Sequence, residues 1–387
     1  MGFESKQVAS LPSSEIRKIF NAANAMMDVI HLEIGDPDFN TPEHISRAAY
    51  EAALAGATHY TATTGTPEVR EAVAEKFRRD NGIPCDPATE VIVSVGAIGA
   101  VFAAVMAVTN PCDEIVVTDP NWPNYVSHIM LPGGRLVPLP LREENGFRAS
   151  LDDIKAVTTS RTKALIINSP NNPTGSVLSK DELLEIGEFC AAHNILVISD
   201  EVYEKIIYGK EHFSLGSVPE FKEFVVTVNS LSKTYAMTGW RLGFACGPRA
   251  VMANMVKVQE AATSCVSAVV QKAAVAALRG PQEPVAEMVK AYARRREFFV
   301  DGLNRIPGFS CIKPDGAFYA YPNVRAFGMP SFELAMALLN EVRVATVHGS
   351  GLGQFGEGYV RMSFATSDEN LREALRRLDR FARARLG

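Results

Sequence analysis

The chain has 387 residues, 47% hydrophobic and 21% charged, with a formal net charge of −5. This length suggests about two domains. The acidic balance argues against a nucleic-acid or anionic-membrane surface, and no run approaches the ~18 apolar residues of a membrane helix.

The first residues, MGFESKQVASLPSSEIRK, contain no apolar stretch of signal-peptide type, so a cytoplasmic protein is expected. LPSSEIRKIF is amphipathic, so residues 1–40 are expected to form an arm that packs on the rest of the chain, contributing to the small domain and to the substrate mouth. Residues 90–247 then alternate in type. EVIVSVG reads as a strand and AIGAVFAAVMAVT as an apolar helix. EIVVTDP, RLVPLPL, KALIINSP, ILVISDEVY, FVVTVNS and RLGFACG read as further strands. Their continuous β-branched runs are the pattern of strands covered on both faces. SKDELLEIGEFCAAHN (179–194) is predicted to be a helix, with Ser179 as N-cap and Glu182 completing a capping box. The predicted class is α/β: a mostly parallel, seven-stranded sheet with helices on both faces. Ligands are then expected at the C-terminal ends of the strands.

The last hundred residues change character. MVKAYARRREFFVDGLNRI (288–306) reads as a long helix, within which Arg294-Arg295-Arg296 reads as a solvated face. Short strand-like pieces follow (GAFYAYP, RVATVHG, YVRMSFA), then a closing helix, NLREALRRLDRFARARL. The expected division is a large domain over 41–285 and a smaller α+β domain over 286–387. The six cysteines form no C-x-x-C pair and read as reduced core residues.

The chemistry-bearing stretches follow predicted strands. GLGQFG (351–356) matches G-x-G-x-x-G, but a dinucleotide fingerprint must open a helix. Here EGYVRMSFA, a strand-like run, comes next, so nicotinamide binding is not expected. SPNNPTG (169–175) is a rigid turn able to hold the Asn172 amide in a fixed pose, or a turn and nothing more. DEVY (200–203) puts Asp200 at the end of a buried strand, where a carboxylate is costly unless paired; a helix cap is the plain alternative. Tyr203 can point into the same crevice. SLSKTYAMTGWRLGF (230–244) holds Lys233 eight residues before Arg241. Lys233 could be a solubilising charge, but desolvated beside another cation it becomes a nucleophilic amine. SVGAIGA (94–100) opens a helix whose first N–H groups suit a phosphate. Singly these signals are weak. Together they supply an Asp for a pyridinium nitrogen, an Asn for a phenolic oxygen, a Lys for an aldehyde, and an Arg, a Ser and a helix start for a phosphate. Those are the functional groups of pyridoxal 5'-phosphate.

With these motifs in order, the sequence resembles the class I/II aminotransferases, pyridoxal-phosphate enzymes of fold type I. The resemblance runs almost end to end, through GDPDFNTP (35–42), HYTATTG (59–65), SVGA (94–97), DPNWPNY (119–125), NSPNNPTG (168–175), SDEVYE (199–204), SLSKTYAMTGWRLGF, GAFYAYP (316–322) and GYVRMSFATS (358–367). It implies that Lys233 binds the cofactor aldehyde and shuttles protons, and that Asp200 partners the pyridine nitrogen. Asn172 and Tyr203 would hydrogen-bond the ring oxygen. Ser230, Arg241 and the backbone of Gly96, Ala97 and Ile98 would hold the phosphate. Trp122 would stack on the ring, and Tyr60 would reach the phosphate of a neighbouring subunit in a homodimer with shared sites. Gly35, Trp122, Asn172 and Arg361 would contact substrate, Arg361 as a bidentate clamp on its carboxylate. No metal is implied. The implied reaction is ping-pong transfer of an amino group from an L-amino acid to a 2-oxo acid such as 2-oxoglutarate. An aspartate-type donor is favoured, with aromatic amino acids or alanine as further donors.

Two positions depart from the pattern. Ile98 stands where one bacterial aspartate-specific branch has a lysine that reads a substrate side-chain carboxylate. His348 stands where relatives usually have a proline, near the substrate mouth. A fold-type-I lyase acting at Cβ or Cγ shares the Lys, Asp and Arg and is the alternative activity. A cofactor-binding regulator is not expected, because such proteins carry a DNA-binding domain ahead of this fold.

Overall fold

The structure is a computed structural model that describes residues 3–13 and 15–387; residues 1, 2 and 14 of the predicted arm lie outside it. All seven strands predicted between residues 90 and 247 pair into one sheet. Their spatial order is Val91–Ser94, Gly243–Cys246, Val225–Ser230, Leu196–Asp200, Thr162–Asn168, Glu114–Asp119, Arg135–Pro140. Every pairing is parallel except those of Gly243–Cys246, which runs against both neighbours.

Alternate residues of each strand serve opposite faces, which explains the unbroken apolar runs. Ile115, Val117, Ile166 and Ile198 pack with Met252 and Met255 of the helix Arg249–Thr263. Val116, Leu165, Ile167 and Val197 pack with Leu183 and Ile186 of the helix Lys180–Ala192. Both faces are therefore dry, as a parallel sheet requires. The Lys180–Ala192 helix starts with the expected reciprocal capping box between Ser179 and Glu182.

The C-terminal region is built from the helices Glu283–Leu303, Ser331–Val342 and Asp368–Leu386 around two small sheets. One is antiparallel, in the order Val347–His348, Val360–Ser363, Tyr319–Ala320; the other pairs Ile30–His31 with Val344–Ala345. The run RVATVHG is thus two strands, one in each sheet. Among the described residues no helix is long and apolar enough to cross a membrane.

Two further sequence expectations fail. Arg295 is not on a solvated face: its side chain is 8% exposed. Its Nη1 and Nη2 donate to the two carboxylate oxygens of Asp38 at 2.8 and 2.9 Å, and its Nε donates to Asp368 at 3.1 Å. One guanidinium thereby ties the N-terminal arm to the start of the last helix, a role its fork geometry permits and lysine's would not. Arg295→Ala is expected to lower stability by roughly 2–3 kcal/mol, read from denaturant midpoints; this is less than for a fully enclosed pair because both carboxylates keep some solvent. The cysteines are the second failure: Cys112 is exposed and Cys265 half-buried, whereas Cys85, Cys190, Cys246 and Cys311 are buried; all six are free thiols.

Candidate active site

Three neighbouring parallel strands end side by side on Asn168, Asp200 and Ser230. The next strand in the sheet runs the other way, and a cavity of about 260 Å³ opens where these ends meet. Asp200 is buried there, and burial pushes its carboxyl up to about 6, against hydrogen bonds from the Tyr125 hydroxyl and the Val202 N–H that favour the anion. The Tyr125 hydroxyl donates to Asp200 Oδ2 at 2.6 Å. Tyr203 lines the same wall, its hydroxyl 2.9 Å from that of Tyr319.

The turn after Asn168 behaves as predicted. Asn168 Oδ1 accepts the Asn172 backbone N–H at 2.7 Å, and the Asn172 side-chain oxygen accepts from Arg361 Nη1 at 2.9 Å. Asn172 is therefore held at its backbone by Asn168 and at its side-chain oxygen by Arg361. Arg361 is 2% exposed; Nη2 donates to the Glu33 carbonyl at 2.5 Å, and Nε has no partner. Its partners here are neutral, so this buried guanidinium is a site for an anion.

Lys233 lies within the short helix Leu231–Thr234 that follows Ser230. Its Nζ donates to the Gly35 carbonyl at 2.5 Å. Burial pulls its pKa down to about 8; Arg361 and Arg241 push the same way while Asp36 opposes them. A free amine is thus accessible near neutral pH. In the cofactor-free protein, Lys233 should react with an amine reagent at a rate half-maximal near pH 8, well below ordinary lysines; peptide mapping of the labelled protein checks this.

Gly35 is required where it stands, because a Cβ there would lie 1.9 Å from the Tyr319 hydroxyl. The helix Gly96–Val108 begins without a side-chain cap. Ala97 and Ile98 of its first turn line the cavity with Ser230, Ser232 and Arg241. A Cβ at Gly96, which has φ +70°, would come within 2.5 Å of Arg241 Nη2, so glycine lets the guanidinium approach the helix start. Hydroxyls, a guanidinium and helix N–H groups together make a phosphate cradle. The donor set thus fits the parts of pyridoxal phosphate: a cradle for the phosphate, the Asp200 carboxylate for the ring nitrogen and the depressed-pKa amine of Lys233 for the aldehyde.

The comparisons agree with this geometry. A family model described as aminotransferase class I and II matches residues 27–378. The chain belongs to the class I and II aminotransferases. As a member, it is a pyridoxal-phosphate-dependent aminotransferase. It is 46% identical over 373 residues to an aspartate aminotransferase of Pyrococcus abyssi, covering 96% of each chain. It is 43% identical over 370 residues to aromatic-amino-acid aminotransferase 2 of Thermococcus litoralis, covering 95% of each. The solved aspartate aminotransferase of Thermus thermophilus with maleate matches with a TM-score of 0.94 at 38% identity, over 98% of this chain and 100% of that one.

Of the residues singled out in the aminotransferase sequence, Gly35, Ala97, Ile98, Trp122, Asn172, Asp200, Tyr203, Ser230, Lys233, Arg241 and Arg361 line the cavity. Gly96 stands just behind it. Tyr60 does not line it and is 90% exposed. His348 is buried one step away: its Nδ1 is 2.8 Å from Ser350 Oγ and its Nε2 lies 3.5 Å from Glu15. Glu15 opens the helix Glu15–Asn24, whose Ile16 does reach the cavity. Sequence reasoning missed Ile16, Tyr125 and Tyr319. Tyr125 and Tyr319 sit inside quoted motifs, DPNWPNY and GAFYAYP, so their position was a usable signal; for Ile16 only amphipathicity was available.

Proposed function

We propose that the enzyme transfers the amino group of an L-amino acid to 2-oxoglutarate, with aspartate the favoured donor and aromatic amino acids and alanine also accepted. The observation that carries this reading is the convergence of Lys233, Asp200 and Arg361 on one cavity. The aspartate and aromatic names of the relatives, and the dicarboxylate maleate named with the Thermus enzyme, support the donor classes. Ile98 and Ile16 add apolar surface to the cavity, which suits aromatic side chains.

When bound, pyridoxal phosphate supplies an aldehyde that takes up the substrate amine and a ring that draws electrons from its α-carbon. Lys233 Nζ would hold the aldehyde and, as a free amine, would act as general base and acid at the substrate α-carbon. Asp200 would partner the ring nitrogen. Asn172 and Tyr203 would hold the ring oxygen, and Trp122 would pack against the ring. Ser230, Arg241 and the N–H groups of Gly96, Ala97 and Ile98 would hold the phosphate. Arg361 clamps the substrate α-carboxylate, with Gly35, Trp122 and Asn172 completing its seat.

The working unit is a homodimer in the cytoplasm, and Tyr60 reaches the phosphate of the neighbouring subunit. Tyr60, Tyr50 and Leu54 are 90%, 65% and 72% exposed, an apolar surface suited to a second copy. The large domain spans 41–285 and the small one 286–387. A panel of amino acids, each with 2-oxoglutarate, tests the substrate reading. Aspartate should give the highest kcat/KM; a panel in which aspartate is inert would overturn the assignment.

A further inference from the structure

One buried contact at the cavity has no role in the reaction described above. Tyr125 is 1% exposed, and its hydroxyl donates to Asp200 Oδ2 at 2.6 Å. The other carboxylate oxygen, Oδ1, receives the Val202 N–H at a longer 3.3 Å. Tyr125 belongs to the helix Asn124–Met130, and its backbone N–H donates to the Trp122 carbonyl at 3.1 Å. The two rings meet edge to face with centroids 5.3 Å apart. One short segment therefore carries both the aromatic side chain at the ring face and the hydroxyl on the strand-end carboxylate.

We propose that Tyr125 is a positioning residue for transamination: its hydroxyl aims the Asp200 carboxylate and keeps it charged for the pyridine nitrogen. This rests on the reading of Asp200 given above. The titratable groups that bear on Asp200 are Tyr125 from its helix, and Glu201 and Tyr203 from the same turn. Burial and the neighbouring Glu201 charge both favour the neutral acid, while the Tyr125 hydrogen bond favours the anion. Tyr125 itself is held far above its ordinary pKa by burial and by Asp200, so it stays a donor throughout the working range. A neutral Asp200 would not stabilise a protonated ring nitrogen, and the electron-withdrawing power of the ring would fall with it.

The test is a graded donor series in the holoenzyme. Tyr125→Phe removes one oxygen and keeps the shape. Its acid limb of kcat/KM should move up by about one pH unit, a roughly tenfold loss near pH 6 with little change at pH 8. The cofactor dissociation constant should rise severalfold over the same range. Site-specific 3-fluorotyrosine keeps the shape with a more acidic hydroxyl, a stronger donor, and should move the acid limb down. Superimposable profiles, or both variants shifting the same way, overturn the proposal; the fluorotyrosine arm alone decides it if the Phe variant does not fold. Asp200→Asn is measured in parallel. If it keeps wild-type cofactor affinity and absorbance, the Asp200 reading fails and Tyr125 falls with it. If it loses them while Tyr125→Phe is silent, only the Tyr125 proposal fails.

Discussion

Lys233→Ala is expected to leave a folded protein whose turnover is lower by roughly 10⁴-fold or more. Proton transfer by a positioned base contributes about 10²–10⁴ by itself, and the nucleophilic amine is lost as well. The fold should tolerate the change, because Lys233 donates to the Gly35 carbonyl while the cap of its helix is Ser230. Kinetics with aspartate and 2-oxoglutarate measure the loss, and far-UV circular dichroism the fold. Small primary amines fit a cavity of about 260 Å³ and should restore part of the rate, since they supply the missing base. A variant that turns over normally would remove Lys233 from the mechanism.

Arg361→Ala is the second large effect. It should lower kcat/KM for donor and acceptor alike by about 10²–10³, in line with roughly 3–4 kcal/mol for truncating a buried charge that meets a carboxylate. Cofactor affinity should change little, because the proposed phosphate cradle uses Ser230 and Arg241 and not Arg361. Part of the loss will come through Asn172, whose side-chain oxygen is held by Arg361 Nη1. Arg361→Lys keeps the charge without the fork and should recover only part of the activity. Titrating both variants with cofactor and with substrate separates the two roles; loss of cofactor with intact substrate handling would mean the roles are assigned wrongly.

The sheet was legible because it is buried on both faces. Runs such as ALII and LVIS carry no in–out alternation, since Ile166 and Leu165 face different layers that are both dry. Asp200 and Lys233 were legible for a related reason: a charge placed just after such a run needs an explanation. The failures have a different cause. Arg295 looks like its neighbours Arg294 and Arg296 in sequence, and only the tertiary arrival of Asp38 and Asp368 makes it a buried clasp. RVATVHG reads as one strand, yet Val344 pairs with Ile30 and Val347 with Arg361, in different sheets. Tyr125 stands unremarked in the motif DPNWPNY until the strand end of Asp200 is brought to its hydroxyl. In each case the deciding partner lies far away along the chain, where periodicity has nothing to report.

The central claim is that this cavity passes an amino group through its cofactor and keeps it. The most direct measurement mixes the purified holoenzyme with aspartate in the absence of any 2-oxo acid. The account predicts one equivalent of 2-oxo acid per active site, no ammonia, and an enzyme that stalls until 2-oxoglutarate is added. Continued turnover with release of ammonia, or no 2-oxo acid at all, would contradict it.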